Sequence, residues 1–321
     1  MPPPGNLQRL IVKFVHPGQE FCPSKRASKD NAIWDDKSGL RLWNNLRNHK
    51  RKFLLSEGKY RKSPGRKDVK SLLTFWGEWE PQSRFRKLPH SSSRSNRLPH
   101  YVHKPLIEKG STGSHNTDPF VFGTKFWFTN CQQGSKSCGR LLRQLDSGSL
   151  ILFGTAYKGD FALDTVFVVG KRFKPADYLK KPAEYPKQLR WATLDHKNLA
   201  RKYPSFVFYS GKRTDDGMPF SFVPCRTVNS TGAVEGHARV RLNCKKFGLP
   251  RNNQGCGTLG GRKNISAGGM SEDKVFEFWM KIADACCQQG FQLGHSIELP
   301  PIITARRKHT LDKERPLVSC L

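Results

Sequence analysis

"LDSGSLILFGTAYKGDFALDTVFVVG", residues 145–170, sets two apolar runs on either side of "AYKGD". Both runs are short and rich in β-branched and aromatic residues, and Ser-Gly punctuation precedes the first, so the stretch predicts two strands joined by a turn. Working outward, "SFVFYSG" (205–211) and "PFSFVPCRTV" (219–228) predict further strands. "PFVFGTKFWFTN" (119–130) predicts one buried strand, or two pieces around Gly123. One helix stands out in "SEDKVFEFWMKIADACCQQG" (271–290), where Val275, Phe278, Trp279, Ile282, Ala283 and Cys286 recur at helical spacing, with acids in the first turn and Gly290 as the stop. Separate strands with few helices predict an α+β fold: a strongly curved mixed sheet, or a small β-barrel with helices at its rim.

The chain has 321 residues, enough for one large body or two domains. It carries 56 Lys and Arg against 26 Asp and Glu, a formal net charge of +30, which exceeds what solubility requires and points to a polyanionic partner. With 21 Phe, 7 Trp and 7 Tyr the chain also holds rings that can stack on bases, which a plain basic tail lacks. The expected partner is DNA, bound by a monomer. No 18-residue apolar run and no apolar stretch of signal-peptide length at the N-terminus occur, so a cytoplasmic protein away from membranes is expected. Nine Cys without a CxxC pair predict free thiols rather than a disulfide framework, and no metal or other cofactor is expected.

Residues 1–110 hold 24 Lys and Arg against 9 Asp and Glu, which marks them as a basic DNA-binding region ahead of a barrel and C-terminal helical extension over 111–321, the two packed as one body. Within the first region "SGLRLWNNLRNHKRKFLL" (38–55) reads as an amphipathic basic helix, with Arg47, Lys50, Arg51 and Lys52 placed to lie along phosphates. "GCGTLGG" (255–261) fits a Gly-rich spacing but follows polar residues instead of a strand. It is expected to be a flexible loop that brings Arg262 and Lys263 to the DNA backbone.

"TFWGEWEPQS" (74–83) keeps Glu78 and Glu80 among the rings of Trp76 and Trp79, which are expected to bind an extruded base by stacking. In an extended chain, Trp76, Glu78 and Glu80 share one face and Phe75 and Trp79 the other. A second constellation joins "LPHYVHKP" (98–105) to "HNTDPFVFGTKFWFTN" (115–130). It supplies Tyr101, His103, Phe120 and Trp127 as stacking rings, Asn116 and Asn130 as readers of a base edge, and Asp118 as a carboxylate. Asp118, Glu78 and Glu80 are the candidate catalytic acids; the other reading of each is a salt bridge or a turn cap. Asp164, inside an apolar run, requires a partner and is expected to be an internal anchor.

The run 145–170 resembles the central strands of PUA-like barrels, the superfamily that includes the EVE and ASCH domains. Taken with "GEWEPQS", "LPHYVHKP" and "NTDPFVFG", the chain also resembles bacterial nucleotide-modification-associated proteins and an anti-phage DNA glycosylase acting on glucosylated hydroxymethylcytosine. The resemblance implies a protein that flips a modified base from double-stranded DNA and hydrolyses its N-glycosidic bond, leaving an abasic site. The alternatives are a reader that holds the base without chemistry and an RNA-binding module.

Overall fold

The computed structural model describes residues 7–16, 18–21, 51–88, 99–108, 115–195, 199–228, 238–260 and 269–303. Its strands, in chain order, are β1 (Ile11–Val15), β2 (Lys52–Arg61), β3 (Val69–Gly77), β4 (Ser83–Lys87), β5 (Tyr101–Pro105), β6 (Ile107–Glu108), β7 (Trp127–Phe128) and β8 (Leu150–Tyr157). They continue with β9 (Asp160–Phe173), β10 (Phe208–Gly211), β11 (Val223–Thr227), β12 (Val240–Asn243), β13 (Gly255–Thr258), β14 (Gln292–His295) and β15 (Ile302–Ile303).

Strands β8 and β9 form the expected hairpin, paired from Leu150↔Val168 to Tyr157↔Asp160. The turn between them is Lys158-Gly159, with φ of 46° and 85°. Positive φ at both central positions matches the right-handed twist of the flanking strands, and glycine meets that demand without strain. The pairing shifts register between Phe153 and Gly154. A Cβ at Gly154 would lie 2.2 Å from the Ala162 carbonyl oxygen, so only glycine permits so close an approach there.

A seven-stranded mixed sheet grows around this hairpin in the order β13-β1-β8-β9-β10-β7, with β12 also on β9. The second sheet runs β14-β11-β3-β2-β5-β4, and β14 pairs β2 as well, so β2, β3, β11 and β14 close into a four-stranded barrel. The fold is therefore α+β, a curved mixed sheet joined to a closed barrel, as expected, and is consistent with a PUA-like barrel. Helix Glu272–Gln288 is capped by Ser271, whose hydroxyl accepts from the Lys274 N–H at 3.4 Å. It buries Val275, Phe278, Trp279, Ile282, Ala283 and Cys286 over Phe220, Phe222, Val240 and Leu293.

Three expectations are corrected. The barrel is not confined to 111–321: β2 and β3 come from one side of residue 110, β11 and β14 from the other, and β1 lies between β8 and β13. Phe53 and Leu54 stand in strand β2, not in a helix, because nine residues from Lys52 to Tyr60 pair with β3 and bury Phe53, Leu54 and Leu55. The rest of that expected helix, with Arg47 and Lys50, lies outside the described residues. "GCGT" is strand β13, paired with β1, and not a loop; Arg262 and Lys263 lie outside the described residues.

Candidate functional site

Where β1 ends, the chain crosses from the seven-stranded sheet to the barrel. His16 N–H still donates to Gly154 O at 2.8 Å, and Arg51, at the start of the barrel, exchanges backbone hydrogen bonds with Gln19 and Phe21. This junction gathers His16, Arg51, Glu78 and Asp164, none more than 3 % exposed. Arg51 Nη1 donates to Glu78 Oε2 at 2.6 Å, and its Nε lies 3.2 Å from Asp164 Oδ2. Arg239 meets the other Asp164 oxygen at 3.3 Å and stacks its guanidinium 4.2 Å above the Trp76 ring. Asp164 is thus the internal anchor expected, bridging two guanidinium groups. Charges so far from water persist only because each is paired, and the pairing roughly offsets the desolvation cost without a surplus.

Arg51 and Lys52 are corrected here. Arg51 is spent on two buried carboxylates; Lys52 Nζ is buried against Pro81 O at 3.3 Å, Ser83 Oγ at 3.4 Å and the Phe21 ring. Neither guanidinium nor ammonium faces a phosphate.

The two constellations of the sequence converge at this junction. Asn116 N–H donates to Glu80 Oε2 at 2.6 Å, and Glu80 N–H donates to Thr117 Oγ1 at 3.1 Å. Asp118 is fully buried and accepts three backbone N–H groups: Thr129 on Oδ1 at 2.9 Å, and Asn130 and Cys131 on Oδ2 at 2.8 and 2.6 Å. Burial pushes its carboxyl from the ordinary 3.8 up to about 7, against the downward pull of those three donors, and the Glu78 charge adds to the rise. Of the three candidate acids, only Glu80 is part-exposed. Asp118, expected as a candidate catalytic acid, is fixed but not accessible: both of its oxygens are engaged by the turn they hold.

The rings divide between two sides, as strand alternation requires. Trp76 packs on Phe53 in a small cluster with Leu55, Leu88 and Val102. Trp79 belongs to the largest core, its ring 5.1 Å from Phe122 and its indole N–H donating to Gln82 O at 2.8 Å. Phe120 and Trp127 lie in the same core, Trp127 against Phe173 and Tyr185. Trp79, Phe120 and Trp127 are therefore packing residues and not platforms for a base, because their faces are already covered by other rings. His103, on β5, is fully buried, its Nδ1 2.8 Å from Ser83 Oγ, and burial with the nearby Lys52 charge holds its imidazole well below the ordinary 6.5. Tyr101 is half-buried, edge-on to Phe85. Among the described residues, the buried side-chain oxygens Asn116 Oδ1 and Asn130 Oδ1 have no hydrogen-bond partner.

His16 and Cys131 escaped the sequence reading. His16 Nε2 lies 3.2 Å from Cys131 Sγ, and His16 Nδ1 lies 3.2 Å from Glu78 Oε2 and against Arg51 Nη2. The only local signals are the polar "HPG" that ends a buried strand and the "TNC" that ends an apolar run. No group of His, Cys, Asp and Glu among the described residues has the arrangement of a metal site. No helix among them is long and apolar enough to cross a membrane. Comparison with known proteins found no matching family model, no matching curated protein and no matching solved structure.

Proposed function

We propose that the chain binds DNA, turns a modified base out of the helix at the junction between sheet and barrel, and hydrolyses its N-glycosidic bond. The observation that carries this reading is the convergence of Glu80 with Asn116, Asp118 and Asn130, residues from two distant stretches, at a site where two buried amide oxygens lack partners. Unpaired buried acceptors cost free energy in the free protein, and a base edge carrying amino or imino hydrogens removes that cost on binding. The net charge of +30 supplies the attraction for the phosphate backbone.

Cleavage of the N-glycosidic bond develops positive charge on the sugar, and a carboxylate close to the anomeric carbon stabilises it or activates water. Glu80 takes that role, since it is the one of the three candidate acids that is not fully buried. Asp118 is a positioning residue: its three N–H bonds hold the turn that presents Asn130 and Cys131. DNA from phage with glucosylated hydroxymethylcytosine is the substrate to test, in keeping with a role in defence.

Alkali treatment after incubation with such DNA should reveal strand breaks at abasic sites. Glu80→Gln should bind the same DNA and leave it unbroken. Binding without breaks by the unaltered protein assigns the junction to a reader of modified bases, and absence of binding overturns the reading altogether.

A further inference from the structure

We propose that Arg241, on β12, and Lys158, in the turn of the central hairpin, form a surface that receives the phosphate backbone of the bound DNA. This rests on the nucleic-acid reading above and adds to it the place where the backbone lies, since Arg51 and Lys52 are buried and cannot serve. Strand alternation sets the surface up. Val240 and Leu242 are buried in the apolar cluster under the last helix, so Arg239 and Arg241 emerge on the opposite face. Arg241 stands opposite Ala162, and Ala162 stands opposite Thr155 on the next strand. The small Ala162 side chain lets Arg241 cross β9 to the diagonal neighbour Tyr157, where its guanidinium lies 3.9 Å from the ring centre. Gln289 fixes the strand from the helix side: its Oε1 accepts from Arg241 N–H at 2.9 Å and its Nε2 donates to Arg241 O at 3.0 Å. Lys158 Nζ comes to the same Tyr157 ring at 5.8 Å.

Charge identifies the occupant. Like charges side by side on one face repel, and anions must stand beside them to make the arrangement favourable. Inside the protein Asp164 does this, pairing with both Arg239 and Arg51 and so tying the row to the junction. Burial lowers the Arg239 guanidinium from its ordinary value; Asp164 opposes the fall, and the Arg51 and Arg241 charges add to it. Farther out the pairing stops. Among the described residues neither Arg241 nor Lys158 forms an ion pair, and the carboxylate of the same row, Asp160, accepts from Asn243 Nδ2 at 3.2 Å. Arg241 is half-buried and Lys158 exposed, so an anion from outside can reach both. A guanidinium stacked on a ring is already oriented and keeps its N–H edges for an oxyanion, of which phosphate takes two at once. The chain as a whole, at +30, favours a polyanion over a lone carboxylate.

The test uses the full chain and short DNA duplexes of different sequence, with affinity measured across a salt series. Arg241→Gln and Lys158→Gln should each lower the slope of log affinity against log salt by about 0.9, equally for every duplex. Lys281→Gln removes the same charge from the exposed side of the last helix and should leave the slope as it is in the unaltered protein. Arg241→Lys keeps the charge and should keep the slope. Melting curves establish that each variant is folded, and Lys158, exposed in a turn, carries the test even where Arg241→Gln unfolds. Slopes unchanged in the Gln variants, or lowered as much by Lys281→Gln, overturn the proposal; binding by the unaltered protein then leaves the nucleic-acid reading standing, and an acidic protein becomes the partner to try on this surface. Failure of the unaltered protein to bind DNA overturns both.

Discussion

The floor beneath helix Glu272–Gln288 and the junction around Arg51 are both buried, and they are built by opposite means. Under the helix, Phe220, Phe222, Val240, Trp279, Ile282 and Leu293 fill the space with apolar groups, and the one polar atom of Trp279 donates to Phe220 O at 3.0 Å. At the junction, Arg51, Glu78, Asp164 and Arg239 set buried charges around the His16 ring. Apolar burial stabilises roughly in proportion to area and asks for no particular direction. Buried ion pairs at best offset their own desolvation, and removing one partner leaves the other stranded. The helix floor accounts for stability; the junction spends some of it on placing specific groups.

The largest effect expected is on the apolar side. Trp279→Ala should cost about 3–5 kcal/mol, read as a lower denaturant midpoint, while the protein that remains folded keeps its DNA binding. A loss of binding in folded Trp279→Ala would break the division of labour between the two regions.

Asp118→Asn sharpens the comparison from the polar side. The amide nitrogen brought in cannot accept, so at least one of the three backbone N–H groups loses its acceptor, at about 1–3 kcal/mol each. Melting curves should show that loss at neutral pH, partly offset because the buried charge is removed. An unchanged melting temperature would mean that the turn at 129–131 does not depend on the carboxylate.

The smallest effects are those of pH, and the two regions of buried polarity contribute with opposite signs. The Asp118 carboxyl, raised to about 7, keeps its proton in the folded chain where the unfolded chain has released it. Its contribution to stability is complete below the unfolded value of 3.8 and is lost as pH rises through 7. His103 is held below 6.5, so its contribution is complete above 6.5 and is lost as pH falls through the folded value. Unfolding curves at pH 5 and pH 7 should show His103→Gln less sensitive to acid than the unaltered protein and Asp118→Asn less sensitive to the rise toward neutrality. Parallel curves for all three would remove both assignments.

How much of this was legible in the chain depends on how local the cause was. The hairpin at 150–173 follows from two apolar runs around Lys158-Gly159, and the last helix from Ser271, Glu272, Asp273 and the spacing of its apolar face; these signals lie within a few residues of the structure they produce. Phe53 and Leu54 carry apolar character that a helix or a strand can bury, and their pairing with β3, some twenty residues on, decides for the strand. Composition marked Arg51 and Lys52 as basic, but which side of the barrel wall they face is a matter of register.

By itself, the sequence determined the α+β class, the basic character, the central hairpin, the C-terminal helix and the need of Asp164 for a partner, because each rests on local chemistry or on composition. Only the tertiary structure decided that Glu80 meets Asn116, that Asp118 is an anchor, and that His16 stands between Cys131 and Glu78. His16 and Cys131 are 115 residues apart, and no periodicity spans such a distance. What brings them together is the crossing of β1 from the sheet toward the barrel and the turn held by Asp118, so the site exists only once both sheets have formed.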